Sequence, residues 1–329
     1  MAERSLDIDE IADPQHRYRI IRKIAEGGMG SVYEAVQYGA EGFEKTVAVK
    51  TILEEFTNSY EFVNMFIGEA KLVSDLIHEH IVQVYQLGKL GRMYYIVMEY
   101  VSGRTLHHYI ERHFELDRPF PVEFGAFIAS RVCRGLEYAH RKAGRDGKLL
   151  GIVHRDVSPK NIMMSYEGVV KLCDFGIAKA RNYMQHKEGE ILMGKVEYMS
   201  PEQAEYKQTD LRSDVFALGI VLHQIMTGEQ IFEVEDVYDT LDNVKSAPIP
   251  DPREYRGEIP EELARITMKA LERPLEARYQ NAGEMGYELE RYMYSDRFGP
   301  TDEKLAAYLK ELFDYTEAGE HLWGPSPDG

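Results

Sequence analysis

Apolar and polar residues alternate from Tyr18 to Ile24, a period of two that predicts a strand. A second short apolar strand, Val47-Ala48-Val49, ends in Lys50. The period then changes. Phe62, Met65, Phe66, Ala70, Val73 and Ile77 recur at helical spacing and predict a helix from Ser59 to Leu76. Ile81 to Leu87 and Met93 to Met98 read as two more strands. Helical spacing resumes at Thr105, breaks at Phe120-Pro121, and returns from Val122 to His140 with Phe124, Phe127, Ile128, Val132 and Leu136 on one face. The polar insert from Arg141 to Lys148 carries a turn at Asp146-Gly147. Two apolar runs, Ile162-Met163-Met164 and Val169 to Cys173, flank Glu167-Gly168, the signature of a hairpin. Further on, an apolar helix opens near Asp214 and runs through Met226. The stretch 236–260 is rich in Asp, Pro and Glu and predicts surface. Helices are predicted from Glu261 to Leu271 and from Ala282 to Met293. Pro300-Thr301-Asp302 is a helix start, followed by Leu305, Leu309, Leu312 and Phe313 on one face that must pack somewhere, with the chain's own large lobe the favoured place.

Composition adds limits rather than chemistry. The 329 residues, 44% hydrophobic and 29% charged, can bury an ordinary globular core. Acidic residues outnumber basic ones by 56 to 39, a formal charge of −17, which argues against non-specific nucleic-acid binding. Two cysteines, Cys133 and Cys173, make neither a disulfide framework nor a zinc spacing and suit a reducing cytoplasm. The first residues lack the apolar core of a signal peptide, and no run of about 18 apolar residues predicts a membrane span.

The chemistry concentrates around the predicted hairpin. Asp156 and Asn161 precede it and Asp174 follows it, so its closure brings two carboxylates and an amide oxygen together. Such oxygens suit Mg2+ carrying a nucleotide phosphate. His154-Arg155-Asp156 with Asn161, then Asp174-Phe175-Gly176, resembles the catalytic loop and metal-binding motif of eukaryotic-type protein kinases, and most of all those of soluble, myxobacterial-like Ser/Thr kinases of bacteria. The resemblance implies an α+β fold with a small, mainly β lobe and a large, mainly α lobe. It covers a kinase domain at 17–293, with small lobe 17–98, hinge 99–103 and large lobe 104–293; the acidic residues 1–16, with Asp13-Pro14, read as a mobile, solvated lead-in, and 294–329 as an extension with one helix.

The same resemblance assigns roles. Asp156 would accept the proton of a protein hydroxyl, and Asn161 and Asp174 would hold Mg2+, or Mn2+ in its place. Lys50, paired with Glu69, would fix the ATP phosphates beneath a glycine-rich loop of which Ala25, Gly27 and Gly30 hold the glycine positions, Ala25 departing from the usual residue. Glycine there would let backbone N–H groups approach phosphate. Val32, Ala48 and Met163 would sandwich adenine, with Met98 as gatekeeper and the Glu99 and Val101 backbones bonding the base. His154 and Phe175 would stack with Val73 and Val84 in an internal spine. Asp214 would brace the catalytic loop, and Glu202 would pair with Arg278. The implied partners are ATP and a protein substrate; nothing specifies an oligomeric state.

Two departures stand out. Ser158 occupies the usual lysine position of Ser/Thr kinases, and Lys195 the usual threonine position. Either Lys195, by exchange with Ser158, or Lys160 is expected to supply the missing cation. Between Phe175 and Met199 the hydroxyls belong to Tyr183 and Tyr198, with Glu188 and Glu190 standing where relatives carry phosphorylated threonines. A nucleotide-binding scaffold with little transfer activity is the alternative reading.

Overall fold

The computed structural model describes residues 10–12, 17–27, 30–53, 56–57, 59–175, 196–295 and 299–313. They form two compact units, a small one from 10–77 and 82–101 and a large one from 78–81 and 102–313.

The described residues of the small unit form an antiparallel sheet: β1 (Glu10–Ala12), β2 (Arg17–Gly27), β3 (Gly30–Tyr38), β4 (Glu44–Ile52), β5 (Val84–Leu90) and β6 (Met93–Glu99). Its order is β1-β2-β3-β4-β6-β5. Strand periodicity sorts the side chains. Val47 and Val49 join Ile11, Tyr18, Ala35, Tyr95 and Val97 in one apolar cluster. Ala48 and Lys50 therefore point to the other face. There Ile52 and Ile96 pack beneath Phe66 and Ala70 of α1 (Tyr60–Val73). Ser59 caps α1, its hydroxyl accepting from the Phe62 N–H.

Three expectations need correction here. The lead-in is not all solvated: β1 pairs with β2, and Ile11 is fully buried. The helix ends at Val73, and Ile77 is exposed while Leu76 is the buried residue. Ile81 is not the start of a small-unit strand; it bridges Leu172 in the large unit.

The large unit contains α2 (Leu106–Glu115), α3 (Val122–His140), α4 (Pro201–Ala204), α5 (Leu211–Thr227), α6 (Val237–Ser246), α7 (Pro252–Tyr255), α8 (Glu261–Ala270), α9 (Ala282–Tyr294) and α10 (Asp302–Leu312). A small sheet, β7 (Gly103–Thr105), β8 (Ile162–Ser165) and β9 (Val170–Leu172), runs in that order. Helix α3 is central, packing on α5 and α9. It and α5 bury residues around most of their circumference, as helices enclosed by other helices do. Asp210 caps the start of α5, and Gly228 ends it in the left-handed region at φ 81°. The stretch 236–260 departs from a plain surface segment: it holds α6 and α7, and Leu241, Val244 and Ile259 are buried. The predicted β8–β9 hairpin is present, closed by Gly168 N–H to the Ser165 carbonyl.

Among the described residues no helix is long and apolar enough to cross a membrane.

Candidate active site

In the small unit, the Lys50 Nζ lies 3.2 Å from Glu69 Oε1, both side chains less than one-fifth exposed. The pair follows from packing. Phe66 and Ala70 seat α1 on the sheet face that carries Lys50, and Glu69 precedes Ala70. Val32 stands opposite Lys50 in the sheet, and Ala48 opposite Met98. Strands β2 and β3 meet at Gly27 and Gly30, with Ala25 opposite Val32. Gly30 is required by the sheet itself: a Cβ there would lie 2.2 Å from the Thr51 carbonyl oxygen. Gly28 and Met29, at the tip, lie outside the described residues. Glu99 closes β6, its N–H donating to Gln83 O at 2.8 Å and its carboxylate accepting from Gln83 N–H at 3.2 Å. Val101 lies two residues further along the chain.

In the large unit, the loop from His154 to Asn161 is fixed from below by Asp214. That carboxylate, fully buried, accepts from the His154 N–H at 2.8 Å, the Arg155 N–H at 2.7 Å and His140 Nε2 at 2.8 Å. Burial alone would raise its pKa; the His140 hydrogen bond and charge, with His154, outweigh that and hold it low. Arg155 sits at φ 63°, a conformation unfavourable for a long side chain. The Asp214 bond to its N–H and a bond from Gln203 Nε2 to its carbonyl hold it there. The His154 ring is buried and neutral: Nε2 donates to the Cys173 carbonyl at 3.0 Å, so Nδ1 accepts from the Asp156 N–H at 3.2 Å. Burial lowers its pKa despite the nearby carboxylates. Its ring also lies 4.5 Å from that of Phe175.

The Asn161 Nδ2 donates to both the carbonyl and Oδ2 of Asp156, each at 2.8 Å. This aims the Asp156 carboxylate and leaves Asn161 Oδ1 as the end of the amide that can ligate a cation. The Cys173 N–H donates to the Asn161 carbonyl at 2.9 Å, which sets Asp174 beside Asn161 at the inner end of the hairpin. Asp174 takes φ 53°, which Asp tolerates better than most residues. The donor set is hard oxygen and fits Mg2+. Among the described residues no cluster of three His, Cys, Asp or Glu could hold a metal. A divalent ion here would complete its shell with water and phosphate oxygens, as Mg2+ prefers. Met163, half-buried on β8, pairs with Lys171 of β9.

Of the two candidate cations, Lys160 is exposed on a short 3-10 turn spanning Pro159–Asn161. Lys195 lies outside the described residues, as do Tyr183, Glu188 and Glu190. Ser158 is fully buried, and its hydroxyl has no hydrogen-bond partner among the described residues, so it does not bond Asp156. Beyond the loop, Arg278 donates to Glu202 at 3.0 and 3.3 Å and to the Arg212, Glu272 and Arg273 carbonyls, while Ser213 Oγ donates to Glu202. Burial pushes the Glu202 pKa up, but Arg278 and Ser213 prevail and hold it low. No motif or period pointed to His140, to Gln203 or to Thr209, whose Oγ1 accepts from Arg155 Nε at 3.1 Å. His140 ends an amphipathic run, and periodicity marks its face but not its partner.

Residues 18–282 match the protein kinase domain model. The chain is similar to a tyrosine-protein kinase, MasK of Myxococcus xanthus, 38% identical over 92% of this chain and 47% of that protein. It is also similar to the serine/threonine-protein kinase PrkC of Bacillus subtilis, 33% identical over 85% of this chain and 41% of that one. It thus spans about half, or less, of the length of these curated relatives. The crystal structure of the PknI kinase domain of Mycobacterium tuberculosis shares the fold at TM-score 0.61, 23% identical, covering 83% of this chain and 95% of that one.

Proposed function

The chain belongs to the protein kinase family, and we propose that it transfers the γ-phosphate of ATP to Ser or Thr hydroxyls of protein substrates in bacterial signalling. The observation that carries this reading is the joint placement of Asp156, Asn161 and Asp174 by backbone and side-chain hydrogen bonds within one loop and hairpin. In this reading residues 17–293 are the catalytic domain, and 294–329 an extension.

Phosphoryl transfer needs positioning and charge neutralisation more than covalent chemistry. Asp156, oriented by Asn161, accepts the hydroxyl proton as that oxygen attacks the γ-phosphorus and the bond to the ADP oxygen breaks. Asn161 and Asp174 would hold Mg2+, or Mn2+ in its place, and the ion when bound would neutralise phosphate charge. Lys50, restrained by Glu69, contacts the α- and β-phosphates. Val32, Ala48, Met98 and Met163 contact adenine, with the Glu99 and Val101 backbones at its edge. Ala25, Gly27 and Gly30 line the phosphates. Lys160 or Lys195 steadies the γ-phosphate. Use of ATP and two cysteines outside disulfides favour the cytoplasm.

The test is transfer from radiolabelled ATP to a generic protein, followed by phosphoamino-acid analysis. Asp156→Asn should cut transfer by about 10²–10⁴, the usual worth of a general base. Wild-type protein that binds ATP but transfers no label would establish the scaffold reading instead. A second reading, tyrosine specificity, is favoured by the similarity to MasK and by a cation at Lys160 rather than at position 158. Label found predominantly on phosphotyrosine would decide for it.

A further inference from the structure

The β8–β9 hairpin bears Asn161 and Asp174 at its inner end, and its outer end is held by the extension. Gly168, at the tip with φ 86°, packs against the first turn of α10. A Cβ there would lie 1.9 Å from the Asp302 carbonyl oxygen and 3.1 Å from the Ala306 nitrogen. At the far end of α10, the Phe313 ring lies 5.1 Å from that of Tyr109, and the Arg104 guanidinium stands 5.0 Å over it. Both of these contact the hairpin in turn: Tyr109 OH donates to the Met164 carbonyl at 3.5 Å, and Arg104 Nε to Tyr166 OH at 3.2 Å. Along its length α10 is anchored by an apolar face, Leu305, Leu309 and Leu312, and by polar contacts that include Arg112 Nε donating to the Leu312 carbonyl at 3.3 Å. Tyr308 OH donates to His113 Nε2 at 2.7 Å, because His113 Nδ1–H is already given to the Arg118 carbonyl.

The hairpin needs such support. Its strands hold four and three residues, and β7 adds three more. A two-stranded ribbon of that length is marginal without packing. At its base one backbone bond, Cys173 N–H to the Asn161 carbonyl, sets the two candidate metal ligands beside each other. A displacement of about 1 Å in a positioning group can cost about 10²-fold in rate.

We propose that α10 positions the metal-binding hairpin: by gripping Gly168 at the tip and β8 through Tyr109 and Arg104, it sets the geometry of Asn161 and Asp174. Tyr308 and Phe313 are positioning residues that act through the hairpin and touch neither ATP nor metal. The inference deepens the kinase reading and rests on it for the role of the metal.

The 329-residue chain would be compared with Leu309→Asp, Phe313→Ala and Tyr308→Phe, the last removing a single hydroxyl. Ile220→Val, in the core of α5, serves as a control that lowers stability away from the hairpin. Two quantities are read: amide hydrogen exchange of residues 162–172, and the Mg2+ concentration giving half-maximal transfer at saturating ATP. Leu309→Asp should speed exchange in 162–172 about tenfold or more and raise the Mg2+ requirement several-fold, with Phe313→Ala and Tyr308→Phe smaller in the same direction. Ile220→Val should move the melting temperature and neither of these. Faster exchange confined to 299–313, with 162–172 and the Mg2+ requirement unchanged, would show α10 to be a passive cover. If the wild type transfers no phosphate, the kinase reading falls while the exchange measurement still decides whether α10 holds the hairpin.

Discussion

Glu202 and Arg278 form a buried ion pair whose charges are each met by further hydrogen bonds, three carbonyls for Arg278 and the Ser213 hydroxyl for Glu202. Removing one charge strands the other. Glu202→Gln should therefore cost about 3–5 kcal/mol, the usual penalty for half of a buried pair, measured by urea denaturation. A loss below 1 kcal/mol would mean that the guanidinium is satisfied by the carbonyls alone. Asp214→Asn is a different case, because an amide presents one acceptor to three donors. It should release the Arg155 backbone from φ 63° and lower the maximal rate by at least about tenfold with ATP binding little changed. An unchanged rate would disprove the bracing role. At this scale the letters of His154, Asp156, Asn161 and Asp174 were readable because their chemistry is tied to their order. His140 was not, since its role depends on a partner 74 residues away. Nor was one reason for Gly30, the close approach of the neighbouring Thr51 carbonyl.

Elements with a long, strong period were legible: α3 begins and ends where its apolar stripe does, and α9 ends within a residue of the expected boundary. Short elements were not. Strand β1 has three residues, too few to show a period, and it is defined by pairing with β2. Helix α6 sits in a segment whose acidic and proline residues conceal two buried apolar positions, Leu241 and Val244. The β1 pairing matters energetically because Ile11 joins the cluster around Tyr18, Val49 and Tyr95. Ile11→Ala should destabilise the small unit by about 2–5 kcal/mol and speed amide exchange along β2, whereas Ile77→Ala, at an exposed site, should change neither. Equal effects from the two would remove β1 from the core.

On the scale of the whole molecule, histidine is unevenly distributed. Among the described residues it occurs only in the large unit, where burial lowers the pKa of His78, His80, His108, His113, His154 and His223. His80 is the clearest case. Burial lowers it to about 4, against the Val170 carbonyl that accepts from its Nδ1 and favours the charged form. Such a group stays neutral in the fold and takes up a proton on unfolding below its ordinary pKa of 6.5. Its stabilising contribution is therefore complete above pH 6.5 and declines as pH falls toward 4, by up to about 1.4 kcal/mol per pH unit. Below that range the carboxylates continue the trend. Glu202 and Asp214 have lowered pKa values, so their contribution is full above the ordinary carboxylate range and is lost as they protonate. Both mechanisms act on the large unit and in the same direction. Amide exchange at pH 7.5 and 4.5, corrected for intrinsic rate, should show protection falling in α3, α5 and β8–β9 while the β2–β3–β4 sheet keeps most of its own. Replacing His80 with Gln, which binds no proton, should flatten the pH dependence of the large unit. Parallel loss of protection in both units, or an unchanged slope in His80→Gln, would place the acid-sensitive groups elsewhere.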